Sequence, residues 1–464
     1  MSIRSTMRYR VACYCLIATC AITLVCSSTS SARAQFGGGM FRNPVVGGIS
    51  IDAEGVVCQP HVQRRETLRR LMREALRQAP SEMNQPAKLR KISLRRLEAA
   101  ITNALKDNPE KILPEEIRYL AGIQRIQYVF VYPEHHDIVL AGPGEGWEVD
   151  DQANVVGITT RRPVLQLDDL LVALRSVDAA REVGLSCSID PTAEGRRSLQ
   201  SYFARLRKGR GFNQALATQV EQALGPQQIT LTGVPADSHF ARVMVASDYR
   251  MKRLAMNFEV APVRGLPSYL DLLKSGRGLA KNMMPRWWLA CNYKPLAKSE
   301  DGLAWELRGR GVKAMTENDF ISQDGSSKAS GTRSGRAQRW ADLMTQRYEQ
   351  LSEKDLVFGE LRNCMDLAVV AALLAKEDLL GRAGCRLPLL SDPDSHLRTQ
   401  TWNSPKTVAS QCSFVKKGRN WIVTASGGVQ ITSWEVADRT ESDDEVGQLR
   451  QQAETGDRSR WWWN

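Results

Sequence analysis

The sequence predicts an α+β fold, in which a mixed α/β body is followed by a helical part with a C-terminal β-hairpin. Two observations support this class. Segments with period-two apolar alternation, typical of strands, alternate with segments of helical periodicity over the first two thirds of the chain. Beyond residue 336 the apolar pattern is mainly helical. Of the 464 residues, 42% are hydrophobic and 25% charged, which excludes a largely disordered chain.

The first 34 residues have the three parts of a secretory signal peptide. Arg4, Arg8 and Arg10 precede an uncharged, mostly apolar run over residues 11–25, and Ala32-Arg33-Ala34 provides small residues for cleavage. The run is shorter than the roughly 20 residues that a membrane-spanning helix needs, so we expect no transmembrane span after cleavage. Retention of the run as a membrane anchor is the alternative. The sequence therefore predicts an exported protein, periplasmic or extracellular.

Removal of this peptide leaves a basic chain with six cysteines. The peptide carries four arginines and no acid, so 59 basic and 51 acidic residues remain, a net charge of +8. Six cysteines in an exported protein allow up to three disulfides, and the sequence does not decide their pairing. Cys364 lies in a strongly apolar predicted helix and is expected to be a free core thiol. The remaining cysteines are Cys58, Cys187, Cys291, Cys364, Cys385 and Cys412.

The composition along the chain predicts six parts. They are a signal peptide (1–34), a Gly-rich extended segment with the first strand (35–60), a mixed α/β body starting with two Arg-rich helices (61–320), a flexible linker (321–335), a helical part with a C-terminal hairpin (336–435) and a disordered tail (436–464). We expect the hairpin to join residues 421–424 to residues 429–431 through a Gly-Gly turn. The two Arg-rich helices are predicted near 62–78 and 93–106.

Within the body, apolar periodicity places further elements in order. Residues 126–132 and 138–141 read as two strands joined by a turn. A helix is predicted over 239–256, with Asp237 as its cap. Trp287 to Tyr293 and Ala304 to Lys313 are predicted to pair as strands.

The basic charge is concentrated in one segment. Residues 62–97 contain 11 Lys and Arg against three Glu, a net charge equal to that of the whole mature chain. We predict that a basic helical face docks on an acidic envelope polymer, an anionic lipid surface or an acidic protein. Nucleic acid is not expected, because the chain is exported and no stacking aromatic is interleaved with the arginines. A solvated helix face is the alternative. The candidate binding residues are Arg64, Arg65, Arg69, Arg70, Arg73, Arg95 and Arg96.

A second candidate region, residues 134–151, could carry chemistry. His135 and His136 lie on a predicted turn, and Glu145 and Asp150 lie in or just after a Gly-rich loop. These side chains could serve as general acid and base, and Trp147 could stack on a ligand such as a sugar ring. An ordinary polar turn and loop are the alternative.

We predict neither a metal site nor a cofactor. Adjacent histidines on an extended segment point to opposite faces, which weakens joint ligation. The chain contains no Walker A sequence, no H-E-x-x-H and no G-x-S-x-G, and its Gly-rich loop does not have the spacing of a dinucleotide fingerprint. The sequence thus favours a non-catalytic binding or structural protein of the periplasm or cell envelope. A hydrolase-like enzyme using the 134–151 region is the alternative.

Five segments of the chain form a recognisable set. They are ISIDAEGV (49–56), AGPGEGW (141–147), DYRMK (248–252), PRWW (285–288) and MDLAVVAAL (365–373). Together they resemble a family of exported planctomycete proteins defined only as a domain of unknown function. The resemblance spans roughly residues 46–434. It implies export in a bacterium of that group, and it carries over no activity, cofactor or catalytic residue.

Overall fold

Two large β-sheets and fourteen helices form the described part of the protein in a computed structural model, which confirms the α+β class. The described residues are 49–59, 66, 70, 73, 74, 76, 79–107, 112–151, 154–205, 214–275, 285–321, 327–329, 335–417, 419–454 and 460–464. The signal peptide predicted over 1–34 and most of the first Arg-rich helix lie outside them. The export and the cleavage of this segment therefore stay predictions.

The strands are numbered in chain order. They are β1 Ser50–Ile51, β2 Val56–Cys58, β3 Ala87–Ser93, β4 Tyr128–Tyr132, β5 Asp137–Gly144, β6 Trp147–Val149, β7 Val155–Gly157, β8 Leu185–Pro191, β9 Gln227–Thr232, β10 Pro285–Tyr293, β11 Leu296–Lys298, β12 Ala304–Glu306, β13 Gly309–Ile321, β14 Ser327–Ala329, β15 Thr407–Val408, β16 Ser413–Lys417, β17 Arg419–Val423, β18 Ser426–Ile431, β19 Thr440–Ser442 and β20 Trp462–Trp463.

The helices are numbered in the same way. They are α1 Ser81–Asn84, α2 Leu94–Asp107, α3 Glu115–Arg118, α4 Leu167–Arg175, α5 Val177–Glu182, α6 Ala193–Arg205, α7 Gln214–Leu224, α8 His239–Ala255, α9 Tyr269–Ser275, α10 Gly335–Lys354, α11 Leu356–Lys376, α12 Leu379–Ala383, α13 Ser433–Ala437 and α14 Asp444–Ala453. Short 3₁₀ helices occur at Leu120–Gly122 and Pro133–His135. Ser238, not the predicted Asp237, caps α8, since its side chain accepts a hydrogen bond from the Ala241 N–H.

The larger sheet has nine strands in the order β1-β2-β15-β9-β8-β18-β10-β13-β14. Strand β18 lies at its centre, antiparallel to β8 and parallel to β10. Two glycines make this close approach possible. A Cβ atom on Gly428 would lie 1.8 Å from the Cys187 carbonyl oxygen, and one on Gly427 would lie 1.5 Å from that of Trp287. Only glycine therefore fits at either position.

Helix α11 is the centre of the helical layer. Its apolar stretch predicts burial on all sides, and every residue from Leu361 to Leu374 is buried. It packs against α4, α8, α10 and α13. Within the described residues, no helix is both long enough and apolar enough to cross a membrane.

The smaller sheet has seven strands in the order β19-β11-β12-β4-β5-β3-β20. Its last strand, β20, comes from the chain terminus: Trp462 pairs with Ile92, and Trp463 pairs with Lys91. The prediction of a disordered tail over 436–464 is therefore wrong for the described residues, which also form β19 and α14. The tail lacks apolar periodicity, but its tryptophans are buried against β3.

The predicted hairpin of residues 421–431 is also wrong. Strand β17 pairs with the preceding strand β16, from Ser413↔Val423 to Lys417↔Arg419. The segment after it, β18, joins the central sheet instead. The C-terminal part thus completes the sheet of the body, and Asn43–Asn464 form one compact unit. Most of the predicted linker, 321–335, lies outside the described residues.

All six cysteines of the predicted mature chain are free thiols in the structure. Cys58 is exposed and the other five are buried. Burial raises the pKa of Cys364 well above its usual value, in agreement with the expected core thiol.

Candidate functional site

The two histidines lie at the start of β5. His135 ends the 3₁₀ turn between β4 and β5, and its Nε2 atom is 3.3 Å from a Glu454 carboxylate oxygen, just after α14. His136 follows in the left-handed conformation, with φ of 49°, and its ring lies against Gly384. The neighbouring histidines therefore face different partners.

Glu145 lies at the opposite end of β5 and is buried. Its carboxylate accepts hydrogen bonds from the Thr159 and Thr160 backbone N–H groups, at 3.0 and 2.8 Å, and from the Gln124 side-chain amide at 2.8 Å. Burial works to raise the pKa of Glu145, but the hydrogen bonds from Thr160, Gln124 and Thr159 outweigh it and lower the pKa below its usual value. Glu145 therefore stabilises a turn as a buried carboxylate.

These positions do not form one active site. Eight residues of extended chain separate His136 from Glu145, which corresponds to roughly 30 Å at about 3.4 Å per residue. Asp150 lies beyond Glu145, after β6. The hypothesis of a hydrolase that combines the histidines with Glu145 and Asp150 requires convergence, and strand β5 keeps the two groups apart.

Trp147 does not offer a stacking surface. Its side chain is buried, and its ring packs at 5.7 Å from the ring of Tyr119. This burial does not support the prediction that Trp147 binds a ligand. The sequence pattern pointed to a loop, but the residue begins β6 and faces the core.

One group near His135 could bring three ligand atoms to a metal ion. Single atoms of Glu134, His135 and Glu454 lie within 4.8 Å of one another. The Arg450 guanidinium lies 3.2 Å from the Glu134 carboxylate. Its positive charge opposes the binding of a cation at the same place.

The predicted basic face is only partly a free surface. Arg64, Arg65 and Arg69 lie outside the described residues. Arg70 is exposed and lies 4.0 Å from Glu74, and Arg73 lies 3.4 Å from Asp151.

The remaining basic residues of the segment belong to β3 and the start of α2. Arg95 is exposed, whereas Arg96 donates to the Arg460 carbonyl oxygen at 3.0 Å. Arg90 and Lys91, which contribute to the predicted basic charge, are buried in β3. Arg90 donates to the carbonyl oxygens of Ala121 and Met83 at 2.7 and 3.0 Å. Some of the basic side chains of residues 62–97 are therefore buried and do not face solvent.

A charged cleft of about 520 Å³ brings together segments that are distant in sequence. It contains Asp150 from the predicted catalytic set. Eight of its residues are charged, four acidic and four basic, so their formal charges cancel. The charged residues are Asp150, Arg161, Arg250, Arg253, Glu259, Glu353, Lys354 and Asp355.

Two arginines of α8 form the fixed part of the cleft. Arg250 donates from Nε to an Asp355 carboxylate oxygen at 2.7 Å and also pairs with Glu259. Arg253 pairs with the same Glu259 and donates to Gln411 at 3.0 Å. Because helical residues three positions apart share a face, both arginines point to one side of α8. Asp355 precedes the first turn of α11, so the network ties α8 to the α10–α11 junction.

The opposite side of the cleft is shaped by Glu145. The turn that its carboxylate holds carries Arg161, which adopts φ of 61°, a conformation that is uncommon for a residue with a side chain. Arg161 pairs with Glu148, and Arg162 pairs with Glu353. Glu145 is therefore a positioning residue for a cleft side chain.

Lys354 and Asp150 complete the charged lining. Lys354 is exposed and has no hydrogen-bond or ion-pair partner within the described chain. Asp150 is mostly buried and accepts a hydrogen bond from the Asn154 N–H at 2.8 Å.

A buried group of titratable residues adjoins the cleft. Burial, together with the charges of Asp169 and Asp150, raises the pKa of Glu360 to about 7. Its Oε2 atom has no hydrogen-bond partner among the described residues. His239 Nδ1 lies 3.0 Å from the Asp169 carboxylate. Burial alone would lower the pKa of His239, but this carboxylate raises it to about 9.

The cleft residues on α8 were not predicted as site residues from the sequence. Arg250 belongs to the segment DYRMK, which carried only the family resemblance. The local signal for them is the i, i+3 pair of arginines at 250 and 253 on a helix whose other residues are mostly buried.

The comparisons with known proteins concern one part of the chain, which includes α8. No curated protein and no solved structure matches the chain significantly. A family profile matches a segment of the chain that is shorter than the span of 46–434 given by the resemblance. This match confirms the resemblance to a domain of unknown function. Residues 187–269, from β8 to the start of α9 and including Arg250, Arg253 and Glu259, match the sequence profile of a family described as a protein of unknown function (DUF1598).

Proposed function

We propose that this protein is an exported, non-catalytic binding protein of the periplasm or cell envelope, and that the charged cleft holds its ligand. The observation that carries the proposal is the cleft, with its volume of about 520 Å³ and its lining of side chains held by ion pairs. This volume is typical of sites for small molecules. The pattern of residues 1–34 supports export.

The ion pairs of the carboxylates support a binding role. Asp355 pairs with Arg250, Glu259 with both arginines of α8, and Glu353 with Arg162. Burial outweighs the charge of Arg250 and raises the pKa of Asp355 above its usual value, so the support for binding comes from the pairing and not from the ionisation of these groups. Such pairs also fix the side chains before a ligand arrives, which lowers the entropy cost of binding.

The basic segment 62–97 supports docking of the same protein on an acidic surface. Arg70 and Arg95 are exposed, and Arg73 donates from Nε to the carbonyl oxygen of Val149, the residue before Asp150, at 3.4 Å. We assign the acidic envelope polymer, anionic lipid surface or acidic protein to this face. We assign a separate, smaller ligand to the charged cleft.

A retention experiment tests the cleft. The mature chain, residues 35–464, is immobilised, and a native envelope extract is passed over it at low and then high salt. We expect a component that the double variant Arg161→Glu/Lys354→Glu no longer retains, whereas Lys294→Glu retains it. Lys294 is an exposed lysine outside the cleft lining. Equal retention by the double variant and the parent chain would contradict the proposal.

The docking face is tested separately with Arg69→Glu/Arg70→Glu. We expect weaker binding of the folded variant to envelope material at low salt, and a smaller difference at high salt, because exposed charges are screened. Unchanged binding at low salt would remove the basic segment from the proposal. That result would not contradict the proposed ligand site in the cleft.

A further inference from the structure

We propose that the ligand of the charged cleft is a short peptide with a free ammonium and a free carboxylate group. This inference rests on the proposed function and adds the chemical class of the ligand. Its basis is the mixture of charges in a single cleft of about 520 Å³.

The charge balance of the lining excludes ligands of one sign. An anionic polymer in the cleft would meet the carboxylates of Asp150, Glu259, Glu353 and Asp355, and a polycation would meet four basic side chains. Because each buried like-charge contact is costly, recognition favours a ligand with groups of both signs. A peptide with free ends has one group of each sign.

The positions of the charged side chains indicate how the cleft binds the two ends of the peptide. Lys354 is exposed and has no partner within the described residues, so a ligand carboxylate can pair with it without breaking an existing ion pair. Arg250, which also lines the cleft, already pairs with Asp355, the residue that follows Lys354 in sequence. Asp150 also lines the cleft, on the segment after β6, and its carboxylate, which accepts a hydrogen bond from the Asn154 N–H, is the group that we assign to the ligand ammonium.

The surroundings favour a peptide over a sugar. The aromatic ring in the lining belongs to Tyr249, which is 8% exposed and lies under the Arg253 guanidinium at 5.5 Å. It therefore offers little surface for stacking on a sugar ring. By contrast, Val260 is 87% exposed and Phe258 is 37% exposed, on the loop that also carries Glu259. Both residues flank Glu259, which lines the cleft, and we assign the contact with an apolar peptide side chain to them.

A mixed tripeptide library with free ends tests this assignment. The mature chain is incubated with the library, the complex is separated by size exclusion, and retained peptides are identified by mass spectrometry. The same library with acetylated and amidated ends is the matched probe. We expect at least tenfold greater retention of the free peptides, and loss of that preference in Lys354→Glu but not in Lys294→Glu.

Two results would overturn the inference. One is equal retention of the free and the blocked libraries, and the other is retention of neither. If an envelope component still depends on Arg161 and Lys354 while no peptide is retained, the binding function stands and the peptide class is wrong. If the envelope component is retained equally by the double variant, the cleft itself is wrong as the site.

Discussion

The Glu145 carboxylate accepts a hydrogen bond from the Thr160 backbone N–H at 2.8 Å, and this contact holds the turn that carries Arg161. In Glu145→Gln, the amide NH₂ group is itself a donor and would face N–H groups that now donate to the carboxylate. We expect the free energy of unfolding to fall by about 2–4 kcal/mol, as for the loss of buried hydrogen bonds to a charged group. Urea unfolding measures this change. Glu148→Gln, at an exposed ion pair, should change stability by less than about 1 kcal/mol.

The same contact predicts a difference at acid pH. Because the folded-state pKa of Glu145 is lowered, its contribution to stability is present above the unfolded pKa of about 4.3 and is lost as the pH falls through the folded value. The difference in stability between the parent chain and Glu145→Gln should therefore shrink below about pH 4. A constant difference from pH 7 to pH 3 would contradict the assignment.

His239 predicts a loss of stability on the alkaline side. Its folded pKa is raised to about 9 by Asp169. The contribution is therefore complete below the unfolded value of about 6.5 and is lost as the pH rises through about 9. The difference of about 2.5 pH units corresponds to roughly 3 kcal/mol. Unfolding measured from pH 6 to 10 should show this slope, and Asp169→Asn should abolish it. A parent chain equally stable at pH 6 and pH 9.5 would rule out a charged His239.

Gly428 tests the position of the central strand. A methyl group there would collide with the Cys187 carbonyl oxygen, 1.8 Å away, so Gly428→Ala requires β8 and β18 to separate. We expect a loss of more than about 3 kcal/mol or no folded protein, by analogy with overpacked cores. Circular dichroism and urea unfolding give the readout. Gly335→Ala, with open space around the added carbon, is the control and should be tolerated. Equal behaviour of the two variants would show that β18 is not in this place.

The C-terminal tryptophans predict that the tail stabilises the fold. Trp463 is 7% exposed, and its Nε1 atom donates to the Ala453 carbonyl oxygen at 3.4 Å. Trp463→Ala should cost about 3–5 kcal/mol, as for other buried tryptophans. Deletion of residues 460–464 should cost at least as much, because it also uncovers Arg90. A disordered tail would make both changes neutral in thermal unfolding.

Local patterns in the sequence predicted elements better than partners. Period-two alternation identified the strands at 126–132 and 138–141, and helical periodicity identified α8 and α11, because each pattern depends on neighbours in sequence. The partner of a strand depends on distant residues. Thus β17 pairs with β16 instead of β18, and the terminal tryptophans pair with a strand about 370 residues earlier.

The candidate site was predicted only in part for the same reason. Asp150 was identified as a polar residue near a loop, and it does line the cleft. Glu145 was placed in the right region, but its burial under backbone N–H groups could not be inferred from its neighbours. Arg250 and Arg253 lie in the helix predicted over 239–256, and no role was predicted for them. The pairing of Arg250 with Asp355 joins segments about 100 residues apart, which no local pattern reports.

The central place of β18 has a consequence for how the chain acquires its structure. The strands on the two sides of β18 are joined only through residues 426–431. The nine-stranded sheet can therefore be complete only after nearly all of the polypeptide has been synthesised. Contacts between such distant residues slow folding. The nine-stranded sheet is therefore among the last parts of the protein to be completed.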